Sequence, residues 1–152
     1  MQLCIIAIGK SRVSPENSLA QNWLSRLQPT GHLIEVESKL PPGLNRTTDE
    51  SQRLLSAVPK GAAIGVLDSR GKDYSSEDLA ALISTWRDEG FKSACFAVGG
   101  ADGHAKVLRQ KANRVISFGQ ATWPHMLFRA MLAEQLYRAS SILVGHPYHR
   151  AN

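Results

Sequence analysis

The sequence of 152 residues is poor in cysteine and contains no long hydrophobic run. Its two cysteines, Cys4 and Cys95, both lie inside apolar stretches. This predicts buried free thiols in a reducing cytoplasm rather than a disulfide framework. No apolar run approaches the roughly 18 residues that span a bilayer, so we expect no membrane segment. The N-terminus lacks a basic region and a small-residue cleavage site, so we expect no signal peptide.

Acidic residues are nearly absent from the C-terminal part of the chain. The whole sequence carries a formal net charge of +5, but residues 1–91 hold ten basic and eleven acidic side chains. Residues 92–152 hold eight basic side chains, four of the five histidines and only two acids, Asp102 and Glu134. This imbalance favours docking of a polyanion such as nucleic acid on the C-terminal side. The alternative is a basic surface that serves only solubility.

Short apolar runs alternate with helix-length segments along the chain. The runs predict five strands, at 3–8, 33–36, 62–67, 93–98 and 114–118. Helix starts are predicted at Ser14-Pro15, at Thr47 or Thr48, at Ser75 or Ser76, at Ala105 and at Pro124. Because the strands are apolar on both faces, they predict an α/β fold, a parallel sheet flanked by helices on both sides. The chain length predicts one domain over 1–152.

Three loops follow predicted strands at the edge where open α/β sheets bind ligands. The first is 98–103, Val-Gly-Gly-Ala-Asp-Gly, where glycines let the backbone approach a ligand and the next helix N-terminus favours negative charge. Its spacing is neither a dinucleotide fingerprint nor a Walker loop, and a tight turn without a ligand is the alternative. Asp68 and the segment 118–125 lie in the other two loops. We expect all three loops to surround one pocket.

The longest predicted helix, 125–144, is apolar on all sides. Such a helix is covered on two sides, and in a domain this small the second cover is often another subunit. Glu134 and Arg138 are spaced i, i+4 on it with the acid first, the better orientation for an ion pair. They form either a structural ion pair or a pair that lines a functional pocket at an interface.

The C-terminal segment combines His146, Tyr148, His149 and Arg150 around Pro147. As metal ligands the two histidines lack a nearby cysteine or carboxylate, so we expect no metal. Aromatic, imidazole and guanidinium groups together suit stacking on a base and contact with phosphate.

Five ordered motifs resemble those of the RlmH family of small SPOUT methyltransferases, over almost the whole chain. They are Leu67-Asp68 with Gly71-Lys72, 98–103, Pro124-His125 with Arg129, 134–139 and 146–150. The resemblance implies a SPOUT-type α/β knot with a C-terminal trefoil, a homodimer, and S-adenosylmethionine as methyl donor. The donor contacts carried over from the family are Leu67, Gly99, Gly100, Phe118, Gly119, Gln120, Ala121, Thr122 and Trp123. The similarity is only generic over 10–59, and the role of Asp102 in the glycine loop stays open.

The resemblance further implies methyl transfer to N3 of a pseudouridine in large-subunit (23S) ribosomal RNA, on the assembled ribosome in the cytoplasm. The expected partners are this RNA and a second copy of the chain, with neither DNA nor a membrane. No metal is expected, because the sulfonium is already an activated electrophile.

The resemblance and the chemistry together suggest a role for each residue of a catalytic set. His149 is the candidate proton acceptor. Arg138 and Arg150 would stabilise the anionic base or hold phosphate, Tyr148 would stack or donate a hydrogen bond, and Glu134 would orient Arg138. We expect the C-terminal segment to complete the pocket of the partner subunit. The alternatives are a non-catalytic ribosome-binding factor with the same fold and an enzyme that binds nucleotide phosphate at 99–103.

Overall fold

The computed structural model describes residues 1–100 and 103–150. Its strands are β1 (Gln2–Ile8), β2 (His32–Val36), β3 (Ala63–Asp73), β4 (Ser93–Val98) and β5 (Arg114–Ser117). Its helices are α1 (Pro15–Ser25), α2 (Leu44–Ala57), α3 (Ser76–Asp88), α4 (Lys106–Lys111) and α5 (His125–Leu143). The strands form one sheet in the order β2-β1-β4-β3-β5, and every neighbouring pair is parallel. The predicted α/β architecture with a parallel sheet is confirmed.

The sheet separates two apolar cores, because successive strand residues point to opposite faces. Leu3, Ile5 and Ala7 of β1 pack into the core shared with α1, α3 and α5. Cys4 and Ile6, which alternate with them, pack into the smaller core shared with α2 and α4. This two-sided burial explains why the central strands are apolar on both faces.

Helix α5 packs between α1 and α3 and also contacts β1. Every residue of α5 is buried or half-buried, and Leu132 and Leu136 are fully buried. The apolar pattern on all sides of this helix is therefore accounted for within one chain and does not by itself require a second subunit. Neither α5 nor any other helix in the described ranges is long and apolar enough to cross a membrane.

Arg129 of α5 is 1% exposed and ties three elements together. Its Nη2 donates to the carbonyl oxygens of Ile8 at 2.6 Å and Gly9 at 2.7 Å, just at the end of β1. Its Nη1 donates to Glu35 Oε2 of β2 at 2.8 Å. A buried charge is stable only with such partners, so the N-terminal part of α5 is fixed to the carboxyl ends of β1 and β2.

Two helix starts behave as their sequences predict. Ser14 accepts a hydrogen bond from the main-chain nitrogen of Asn17 at 3.1 Å and caps α1. Ser75 and Asp78 form a capping box at the start of α3. In both cases a side-chain oxygen satisfies a main-chain N–H that has no partner inside the helix.

Helix α2 begins at Leu44, three residues before the predicted start. Thr47 and Thr48 therefore lie inside its first turns, and their hydroxyls donate to the carbonyl oxygens of Gly43 and Leu44. A threonine hydroxyl serves either as a cap or as a donor to the preceding turn, and here it does the second.

Strand β3 continues to Asp73, although Asp68 was expected to end it at Leu67. The register against β5 shifts between Leu67 and Lys72, and both residues pair with Ile116. The intervening residues bulge out and return to the strand. A Cβ on Gly71 would lie 2.6 Å from the backbone of Val115, so only glycine fits at this return.

The prediction of two free thiols is wrong in this structure, which joins Cys4 and Cys95 by a disulfide. The two residues pair directly across β1 and β4, with their Cα atoms 4.7 Å apart. Sequence position could not show this, because it depends on β4 lying next to β1.

We expect Arg129→Met to lower the free energy of unfolding by about 3 to 5 kcal/mol, because Glu35 and two main-chain carbonyls lose their donor. Urea denaturation followed by circular dichroism measures this change. Arg53→Met, which removes an exposed partner of Asp49 on α2, is the control and should leave the midpoint near the wild-type value. A loss below about 1 kcal/mol for Arg129→Met would show that the buried contacts of this guanidinium matter little.

Candidate active site

A cavity of about 500 Å³ opens at the carboxyl edge of the sheet, among the bulge of β3, the loops that follow β4 and β5, and the N-terminal part of α5. The segment that was predicted to be the loop after β3 is this bulge. It is lined by seven of the nine predicted donor contacts, namely Leu67, Gly99, Gly100, Phe118, Gly119, Ala121 and Trp123. The three loops therefore surround one pocket, as their order along the chain predicts.

Gln120 and Thr122 are the two predicted donor contacts that are not among the lining residues. Gln120 Nε2 donates instead to the carbonyl oxygen of Ser69 at 3.2 Å, and this bond links the β5 loop to the β3 loop. Thr122 is exposed. Gln120 thus holds the wall of the cavity together from outside it.

A side chain would be crowded at two positions of the glycine loop. A Cβ on Gly99 would lie 3.0 Å from His104 Cε1, and a Cβ on Gly100 would lie 3.1 Å from Glu50 Oε2. The nitrogen of Gly103 donates to the carbonyl oxygen of Gly100 at 3.1 Å, which closes the loop. Missing side chains expose the backbone to a ligand. Asp102, whose role was left open, lies outside the described residues.

The carboxylate of Asp68 forms hydrogen bonds and ion pairs with nearby residues. Its carboxylate accepts from Arg70 Nε at 2.9 Å and Nη2 at 2.7 Å, and it also accepts from the main-chain nitrogen of Arg70 at 2.9 Å. Arg109 Nη1 lies 3.8 Å away. The guanidinium of Arg70 holds the pKa of Asp68 below its usual range. Asp68 thus lines the cavity while its carboxylate is hydrogen-bonded to Arg70.

Two histidines line the cavity, the buried His104 and the half-buried His125, and neither is among the predicted donor contacts. His104 is 5% exposed, and burial lowers its pKa to about 4. Burial, and next the charge of Arg129, lower the pKa of His125 as well. His125 Nε2 donates to the carbonyl oxygen of Ile8 at 2.9 Å. Both rings are therefore neutral near pH 7 and add polar groups but no charge to the cavity.

The predicted catalytic residues assemble on the C-terminal half of α5. Glu134 Oε1 accepts from Arg138 Nη2 at 2.6 Å, from Arg138 Nε at 2.9 Å and from the Tyr148 hydroxyl at 2.8 Å. Arg138 Nη1 lies 3.4 Å from His149 Nδ1. Arg150 is exposed. Four of the five residues thus form one hydrogen-bonded cluster, and the C-terminal segment folds back onto its own helix.

Glu77 of α3 joins this cluster and was missed in the sequence. Its Oε1 lies 2.9 Å from His149 Nε2, so the imidazole is held from α3 on one side and from α5 on the other. The main-chain N–H at the start of α3, and next His149, hold the pKa of Glu77 below its usual range. The two residues are 72 positions apart, and no local spacing connects them.

The ring of Tyr148 packs against aromatic groups of its own chain. Its centroid lies 5.0 Å from that of Tyr137 and 5.5 Å from that of Trp23. The guanidinium of Arg26 lies 4.4 Å from the Tyr137 ring and 4.7 Å from the Trp23 ring, within the range of cation–π attraction. We call these four residues the aromatic clamp, because they hold the C-terminal segment against α1 and α5.

No residue of the catalytic cluster lines the donor cavity of its own chain. Phe128 lines the cavity, whereas Glu134 and Arg138 lie about 9 and 15 Å further along α5 at 1.5 Å per residue. A second, apolar cavity of about 630 Å³ shares Phe118 and Gly119 with the first and is also lined by Glu134 of the cluster. Residues 1–100 and 103–150 contain no group of three or more His, Cys, Asp or Glu side chains placed to hold a metal ion.

Comparison with known proteins identifies the family to which this chain belongs. The model of the family described as predicted SPOUT methyltransferase matches residues 1–149, so the chain belongs to the SPOUT methyltransferases. A protein named ribosomal RNA large subunit methyltransferase H from Paramagnetospirillum magneticum is 48% identical over 151 residues, which are 99% of each chain. A protein of the same name from Ruegeria pomeroyi is 45% identical and also covers 99% of each chain. Within the SPOUT class the chain therefore belongs to the RlmH family.

This membership confirms the resemblance drawn from the five motifs and, at the level of the family, the prediction of a methyltransferase. A solved chain from "Structural insights into the 2-OH methylation of C/U34 on tRNA" superposes with a TM-score of 0.50 at 15% identity. It covers 95% of this chain and 98% of its own. At this identity the likeness concerns the fold alone.

The neutral state of His104 predicts a pH dependence of stability. Its pKa of about 4 in the folded chain is below the ordinary value of 6.5, so the unfolded chain binds more protons between these values. The stabilisation is complete above about pH 6.5 and is lost as the pH falls towards 4. We expect the free energy of unfolding to drop by about 1 kcal/mol between about pH 7 and pH 5.5 from this residue.

Urea denaturation at several pH values measures this dependence. His104→Leu should flatten it, whereas His32→Leu on the exposed edge strand should leave it unchanged. Equal slopes for wild type and His104→Leu would contradict the assignment.

The aromatic clamp predicts that Trp23→Ala loosens the C-terminal segment. The variant loses one aromatic pair and one cation–π contact, which weakens the attachment of the C-terminal segment. We therefore expect amide exchange in residues 145–150 to become about tenfold faster. Hydrogen–deuterium exchange with mass spectrometry of the C-terminal peptide measures this. Trp123→Ala, which removes a tryptophan outside the clamp, is the matched control and should not change the exchange. Unchanged exchange in Trp23→Ala would mean that other contacts hold the segment.

Proposed function

We propose that this chain transfers a methyl group from S-adenosylmethionine to N3 of a pseudouridine in large-subunit (23S) ribosomal RNA, on the assembled ribosome. Curated relatives of nearly equal length carry the name of a large-subunit ribosomal RNA methyltransferase. The observation that carries the proposal is the convergence of the β3 bulge and the loops after β4 and β5 on one glycine-lined cavity. The chain acts as a single domain, 1–152, and the expected cytoplasmic location remains a prediction.

The cavity fits S-adenosylmethionine in size and lining. Its volume of about 500 Å³ lies within the range of small-molecule sites. Gly99 and Gly100 leave main-chain groups open to a nucleoside, and Phe118 and Trp123 offer apolar surface beside them. Leu67 completes the wall at the end of the buried part of β3. S-adenosylmethionine supplies an activated methyl group when bound, so these residues need only hold and orient it.

The cluster on α5 supplies the acid–base chemistry in this proposal. His149 accepts the N3 proton of the base, and its contact with Glu77 sets the orientation of the imidazole. Arg138 stabilises the negative charge that develops on the base, and Glu134 orients Arg138 through two hydrogen bonds. No metal takes part.

The other two residues of the catalytic set act differently from each other. Tyr148 positions the cluster through its hydroxyl bond to Glu134 and its packing in the aromatic clamp. Of the two roles predicted for Tyr148, stacking on the base or donating a hydrogen bond, the proposal assigns the hydrogen bond. Arg150, which is exposed, binds phosphate.

A second copy of the chain brings the two parts together in this proposal. No residue of the cluster lines the donor cavity of its own chain, and Glu134 and Arg138 lie about 9 and 15 Å along α5 from the cavity residue Phe128. In a homodimer the C-terminal segment of one protomer would complete the cavity of the other. The trefoil knot and the homodimer themselves rest on the family membership.

We expect His149→Ala to lower kcat by about 10²- to 10⁴-fold, because a positioned general base is lost. Affinity for S-adenosylmethionine, measured by calorimetry, should stay within about twofold of wild type, because the loops that line the cavity hold the donor whereas His149 acts on the base. His146→Ala, in the same segment, is the matched control. Activity is measured on ribosomes that lack the modification, by mass spectrometry of one methyl group on a pseudouridine.

Three outcomes would contradict the proposal. Equal turnover of His149→Ala and wild type would remove His149 from the reaction. A folded protein that binds ribosomes but does not bind S-adenosylmethionine would instead be a ribosome-binding factor. Tight binding of a nucleotide phosphate in place of S-adenosylmethionine would indicate a nucleotide-dependent enzyme.

A further inference from the structure

Basic residues lie at both the carboxyl edge and the amino edge of the parallel sheet. Loops that follow strands lie at the carboxyl edge with the donor cavity, and loops that precede strands lie at the amino edge. Lys92 precedes β4 and Arg114 begins β5, so both lie at the amino edge, away from the cavity. Lys10 and Arg12 follow β1, so both lie at the carboxyl edge. The strongly basic C-terminal part of the chain therefore does not form one surface around the cavity.

Lys10 and Arg12 line a further cavity of about 470 Å³. This cavity adjoins the donor cavity at Gly100, since a Cβ there would lie 3.2 Å from Ile8 and 3.1 Å from Glu50, which both line the further cavity. The loop after β1 therefore borders the donor cavity, where it can contact a chain of nucleotides that enters this cavity. We call residues 9–12 the β1 loop.

Lys10 and Arg12 are exposed, and within the described residues neither pairs with a carboxylate. Positive charge on the β1 loop is therefore free for a ligand.

The acids around the β1 loop are largely engaged. Glu35 accepts from Ser11 and Arg129. Glu50 is 2% exposed and pairs with Arg46 at 3.0 Å. Glu37 is the exposed acid among the lining residues. The two cations of the β1 loop thus outnumber the one acid that faces solvent beside them.

We infer that Lys10 and Arg12 bind backbone phosphates of the RNA substrate and form an RNA-docking surface beside the donor cavity. The inference rests on the proposed function for the identity of the substrate. Exposed lysine and arginine suit phosphate because they provide charge and several donors. The surface comes from the part of the chain whose net charge is slightly negative, so the charge count alone assigns it to the scaffold.

The test compares two double variants with the same change in charge. Lys10→Gln/Arg12→Gln removes the two cations of the β1 loop, and Lys92→Gln/Arg114→Gln removes two cations at the amino edge. Binding to unmodified ribosomes is measured by filter binding across a series of KCl concentrations. We expect the β1-loop variant to bind about tenfold more weakly near 0.15 M salt, with a salt slope lowered by about 1.4 to 1.8. The amino-edge variant should bind like wild type.

Affinity for S-adenosylmethionine should remain within about twofold of wild type in both variants. An equal loss of ribosome binding in both variants would show that only the net charge of the protein matters. An unchanged salt slope in the β1-loop variant would show that Lys10 and Arg12 do not contact phosphates. Because binding is measured without turnover, a protein that binds ribosomes through the β1 loop but takes no S-adenosylmethionine would overturn the proposed function and leave this inference standing.

Discussion

The buried guanidinium of Arg129 is the contact on which the arrangement of both sites depends. It holds the end of β1 through Ile8 and Gly9 and the edge strand through Glu35. One turn before it, His125 lines the donor cavity, and directly after Gly9 the chain enters the β1 loop. A charge removed from water cannot exchange these partners at low cost. The cavity wall, the β1 loop and the long helix therefore keep fixed positions relative to one another.

Much of the fold could be predicted because its local rules are strong. Strands with two buried faces are apolar throughout, and Ser14 and Ser75 mark helix starts that the structure shares. Errors arose where charge or polarity had two uses. An aspartate such as Asp68 is typical of the end of a strand. Here Arg70, two residues later, neutralises its charge, and β3 continues. Thr47 can cap a helix or lie in its first turn, and local sequence does not decide between them.

The candidate site was predictable to the extent that it follows from chain order. Loops after parallel strands share an edge, so the convergence on Gly99 and Phe118 needed no coordinates. The position of His104 against Gly99 and the contact of Glu77 with His149 depend instead on which strands and helices are neighbours. Periodicity carries no information about strand order, and it therefore could not identify these residues.

The aromatic clamp has a consequence for how the reaction begins. The C-terminal segment is ordered by Trp23 and Tyr137 of its own chain before any RNA arrives. A flexible segment would lose conformational freedom on meeting its substrate, and that loss would be subtracted from the binding free energy. Here the segment loses its conformational freedom when the chain folds, before it binds RNA. Recognition of the RNA can then proceed as the docking of two preformed surfaces, with association limited by encounter rather than by rearrangement of the segment.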